Sequence, residues 1–64
     1  MTPLYIVCFI RADQKPTEEY YYYSLEDARA HFNLFLNDDS ELYKRIEIKT
    51  DNGTVIDFIN PSAP

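Results

Sequence analysis

Leu4-Tyr5-Ile6-Val7-Cys8-Phe9-Ile10 is the stretch from which the fold can be read. Every one of these residues is apolar or aromatic, on both parities of an extended chain. A strand with one wet face alternates, so an unbroken apolar run reads as a strand buried on both sides and central in its sheet. Residues 11–17 are polar and contain Pro16, which makes them a loop. Residues 18–23 (Glu-Glu-Tyr-Tyr-Tyr-Tyr) have strong strand propensity and no helical period. The two strands are expected to form an antiparallel hairpin with a long connection.

Ser24 opens a helix. Its hydroxyl can cap the first turn, with Asp27 three residues on, and Glu26 and Asp27 suit the positive end of the helix dipole. Leu25, Ala28, Phe32, Phe35 and Leu36 fall on one stripe at 3.6-residue spacing. Residues 37–40 (Asn-Asp-Asp-Ser) end the helix, with Asn37 expected in a left-handed capping conformation.

Residues 42–50 predict a third strand, with Ile46 and Ile48 on one parity and Arg45, Glu47 and Lys49 on the other. Asp51-Asn52-Gly53 is a turn, and residues 54–59 return. A two-residue turn would pair Ile48 with Asp57 and mix charge with core on both faces. A three-residue turn with Gly53 left-handed pairs Ile48 with Ile56 and Ile46 with Phe58, which gathers four apolar residues on one face and is preferred. Residues 1–60 therefore read as one α+β domain, and residues 61–64 as a frayed tail.

A crossover through the helix makes the third strand parallel to the second. Keeping the first strand interior gives a four-stranded, mainly antiparallel sheet of order 2-1-3-4, a ββαββ chain with one helix on one face. Ile6, Cys8 and Ile10 are expected to join the helix-covered core. The uncovered face is then expected to carry Tyr5, Val7 and Phe9, with Val55 and Ile59 nearby, Arg45, Glu47 and Lys49 between them, and two tyrosines of the 20–23 run, taken as Tyr20 and Tyr22, an exposed aromatic surface of the kind that marks an interface. Leu34 and Ala30 lie opposite the helix stripe. His31 lies on its flank and reads as a helix-surface histidine.

The chain has 64 residues and a net charge of −5. So short a chain buries only about 60% of its unfolded surface and commonly needs a staple or a partner. One cysteine excludes an internal disulfide, and Cys8 with His31 alone is too few ligands for a zinc site. Self-association is the remaining aid. The acidic balance opposes nucleic-acid binding, which relies on Lys and Arg displacing counterions. Glu18, Glu26, Asp38, Asp39 and Glu41 build a negative surface suited to a basic protein. The acidic residues after the helix lack the alternation and central glycine of a calcium loop. With its one glycine in a turn, the chain has no phosphate-binding loop. No paired acid and base, activated nucleophile, metal or cofactor set is legible, so a non-enzymatic role is expected.

The apolar run is too short to span a bilayer and lacks signal-peptide flanks, which points to the cytoplasm. The leading expectation is a homodimeric interaction module that inhibits or regulates a protein with a basic surface. In size and charge it is analogous to small phage anti-defence proteins, antitoxins and immunity proteins. The alternative is a homodimer holding a small or nucleotide-like ligand in a tyrosine-lined interface.

Overall fold

The computed structural model describes residues 3–37 and 41–61. Five elements follow in the order β1 (Tyr5–Arg11), β2 (Glu18–Tyr22), α1 (Leu25–Asn33), β3 (Tyr43–Thr50) and β4 (Val55–Ile59). The strands form one antiparallel sheet of order β2-β1-β3-β4. The doubly apolar β1 is interior, as its composition demands, and α1 lies on one face of the sheet.

Ser24 caps α1 as expected: its backbone is extended and its Oγ accepts from the Asp27 N–H at 3.3 Å. The helix ends earlier than its apolar stripe suggests. After Asn33 the chain tightens into i→i−3 bonds, with the N–H groups of Leu34, Phe35 and Leu36 donating to His31, Phe32 and Asn33. This tightening turns Leu36 away from the core, so it is exposed where packing was expected. The cap residue is Leu34 in a right-handed conformation, and among the described residues the left-handed ones other than glycine are Gln14 and Glu41, so Asn37 does not play the capping role.

The core consists of Val7, Phe9, Ala28, Phe32, Ile46 and Ile48, with Tyr5, Tyr22, Leu25, Phe35, Tyr43, Ile56 and Ile59 packed around it. The expected faces of β1 are therefore reversed. Tyr5, Val7 and Phe9 lie under the helix, and Ile6, Cys8 and Ile10 point to the other side. The register with β3 is the cause: Val7 sits opposite Ile48 and Phe9 opposite Ile46, so these four share a face. Cys8 opposes Glu47, Ile6 opposes Lys49 and Ile10 opposes Arg45.

The final hairpin is also corrected. The three-residue turn forms, with Gly53 at φ +91°, its N–H donating to Thr50, and Thr50 N–H donating to Thr54. Lys49 then opposes Val55, but a bulge follows and Ile48 opposes Asp57, Glu47 opposes Phe58 and Ile46 opposes Ile59. The extra residue is Ile56, which the preferred register had placed opposite Ile48. The bulge moves Ile59 under the helix, turns Phe58 to the far side, and brings Asp57 within 3.1 Å of Arg29 on α1.

Candidate functional face

The two sides of the sheet differ in chemistry because α1 covers only one. On the covered side, aromatic rings gather where β2 meets the helix. Phe9 meets Tyr20, His31, Phe35 and Tyr43 at centroid distances of 5.5, 5.1, 4.8 and 5.2 Å. His31 also meets the Tyr20 ring, and its Nδ1 shares a 2.7 Å hydrogen bond with the Tyr22 hydroxyl. It is not a surface histidine. Burial pushes its imidazole below the ordinary value, toward the neutral form. The side-chain direction from Leu25 to Phe35 explains this: His31 lies beside the stripe on the β2 flank, and Arg29 lies beside it on the β4 flank.

The open side is built from Glu19 and Tyr21 of β2, Ile6, Cys8 and Ile10 of β1, Arg45, Glu47 and Lys49 of β3, and Val55 and Phe58 of β4. Ile6 and Cys8 are only 9% and 2% exposed although no helix lies over them. Their cross-strand neighbours are Tyr21, Glu19, Glu47 and Lys49, long side chains whose stems lie across the apolar strip. Tyr21, Val55 and Phe58 remain exposed at 58%, 42% and 46%. Arg45 holds Glu47 at 3.0 Å and stacks its guanidinium 4.1 Å from the Phe58 ring centroid. The Cys8 Sγ lies 3.8 Å from Glu19 Oε2. Burial raises the Cys8 thiol; Lys49 opposes that rise, and Glu19 and Glu47 add to it. It is a packed apolar group and not an activated nucleophile.

Of the residues expected on this face from sequence, Arg45, Glu47, Lys49 and Val55 are on it. Tyr5, Val7, Phe9, Tyr20, Tyr22 and Ile59 are on the helix side. The residues that replace them are Tyr21 and Phe58, and the signal that could have found them is parity: Tyr21 shares the parity of Glu19, opposite Cys8. No family model, curated protein or solved structure matches this chain.

The expected acidic surface is only partly described, since Asp38 and Asp39 lie outside the described residues. Glu18 is bound by Arg11 at 3.1 Å and accepts the Tyr20 hydroxyl at 3.1 Å. Arg11 also holds Asp13 at 2.6 Å and keeps that carboxyl down at about 2. Glu26 and Glu41 are exposed, as are Asp27 and Asp51. No pocket forms among the described residues, and no helix among them is long and apolar enough to cross a membrane.

Proposed function

We propose that this protein is a small acidic interaction module that binds another protein on the open face of its sheet and inhibits or regulates it. One observation carries the reading: a four-stranded face that no element among the described residues covers keeps Tyr21, Val55 and Phe58 accessible around a shielded apolar strip. Exposed aromatics in such a setting are the residue type enriched at protein interfaces. The charge of the chain defines the partner. Arg11, Arg29 and Arg45 are each tied to an acid of this chain; on the open face Glu19 and Glu47 balance Arg45 and Lys49, and the exposed carboxylates Glu26, Asp27, Glu41 and Asp51 lie outside it and set the long-range field. With a net charge of −5, the chain favours a basic protein surface and a binding rate that falls with salt.

The test is capture from cell extract with the parent chain and with Phe58→Glu, at low and high salt. The expected result is a basic protein held by the parent, released by salt, and lost by the variant while circular dichroism shows the variant folded. A protein retained equally by both, at either salt concentration, counts against the open face as the binding surface.

A further inference from the structure

The sheet has two edges, and they are built differently. The β4 edge is blunted. A bulge at Ile56 breaks its ladder, the Phe58 N–H is taken at 2.8 Å by the Asp57 carboxylate, and Asn60-Pro61 follows directly. Bulges, local carboxylates and proline are devices that keep a strand edge from pairing. The β2 edge has no bulge and no proline, and its two carboxylates, Glu18 and Glu19, bond tyrosine hydroxyls and not the strand's own N–H groups. It pairs with β1 residue for residue from Tyr22 to Glu18 with no irregularity, and it contains neither proline nor glycine. Its outer row of N–H and C=O groups meets no hydrogen-bond partner among the described residues.

The two carboxylates of β2 sit together at its start and the tyrosines at its end, so the strand is polar along its length. Glu18 and Glu19 accept the hydroxyls of Tyr20 and Tyr21, and both tyrosine hydroxyls are pushed up by those bonds, which keeps them as donors. A second β2 laid parallel would set like carboxylates about 4.8 Å apart. Laid antiparallel and centred on Tyr20, it sets Glu18 opposite Tyr22 and Glu19 opposite Tyr21, and separates the two Glu18 residues by roughly 14 Å along the strands. No acid then faces an acid, and each carboxylate faces a tyrosine.

We propose that β2 pairs edge to edge with β2 of a second copy of this chain, antiparallel and centred on Tyr20. Two four-stranded sheets become one of eight strands. The two-fold axis stands perpendicular to the sheet, so both helices lie on one side and both open faces join on the other. Because the β4 edges are blunted, the contact closes as a symmetric dimer and does not propagate into a filament. This dimer differs from one formed through the sheet face and does not rest on the partner-binding reading above.

Sedimentation of the full chain is expected to give twice the 7.6 kDa chain mass. Opposed residues at an antiparallel pair are about 5 Å apart between Cα atoms, within the roughly 4.4–6.8 Å that a disulfide spans. Tyr20→Cys should therefore cross-link to its own copy under mild oxidation, and Phe58→Cys should not. Should the cysteine variant fold poorly, the exposed Tyr21 gives a second readout. Tyr21→Glu puts acid opposite Glu19 at two symmetric places and should weaken the dimer about tenfold, whereas Tyr21→Lys should preserve it in a salt-sensitive form. Circular dichroism verifies that both variants are folded. A parent chain that sediments as a monomer at high micromolar concentration overturns the proposal. So does a dimer that cross-links through Phe58→Cys, or one that Tyr21→Glu leaves intact.

Discussion

Phe9 fills the space between β2, β3 and α1 and touches four aromatic rings at 4.8–5.5 Å. Truncating a buried ring removes its transfer energy and leaves a cavity that a sheet braced on three sides closes poorly. Phe9→Ala is expected to cost about 3–5 kcal/mol in urea unfolding, a large share of what so small a domain has. Gly53 presents the opposite case. A methyl group there meets nothing within 4 Å, so no clash is created, but φ +91° is a backbone conformation that L side chains rarely adopt. Gly53→Ala should destabilise by about 1 kcal/mol, entirely through the backbone. A neutral result would mean that the turn relaxes to another geometry.

At the scale of elements, α1 spans only nine residues, too few to be stable in isolation, so its cap and its packing must hold it together. Removing the Ser24 hydroxyl with Ser24→Ala is expected to cost about 1 kcal/mol, with Ser24→Asp retaining most of the stability. The helix also brings a titratable group into the core margin. The folded pKa of His31 is depressed, so as pH falls below about 6.5 the unfolded chain takes up the proton first. Its contribution is fully present above that value and is lost as the pH drops through the lowered folded value. The melting temperature of the parent should therefore decline between pH 7 and pH 5.5 more steeply than that of His31→Phe. Equal slopes would show that the ring is not desolvated as the Tyr20, Tyr22 and Phe9 contacts imply.

The molecule as a whole is a sheet with one covered and one open side, and adjacent residues of β4 test that division. Ile59 packs against the core and Phe58 lies on the open face. Phe58→Glu removes the Arg45 stack and sets an acid opposite Glu47, and is expected to cost about 1 kcal/mol. A carboxylate at 58 can still meet Arg45. Ile59→Glu should destabilise by several-fold more, because it drives a charge under the helix. Thermal melts of the two variants separate the observed register from the one in which Phe58 is the core residue.

The apolar run of residues 4–10 was enough to determine that β1 is a central strand, because a strand at a sheet edge or with a fully wet face rarely carries so long an apolar run. Together with Ser24, the helix stripe and the Gly53 turn, that sufficed for the ββαββ order and the 2-1-3-4 sheet. Which side of β1 meets the helix was not determined, for the same reason that made the strand legible: both parities are apolar, so neither is marked. The choice came from long-range register, where Val7 and Phe9 align with Ile48 and Ile46. The bulge at Ile56 was equally hidden, since alternation in residues 54–59 is satisfied by either shift. It is the tertiary packing, through Asp57 on Arg29 and Ile59 beneath the helix, that selects one. The open face was thus foreseeable from the single helix, but its residues were decided only when β1 and β4 were set in register against β3.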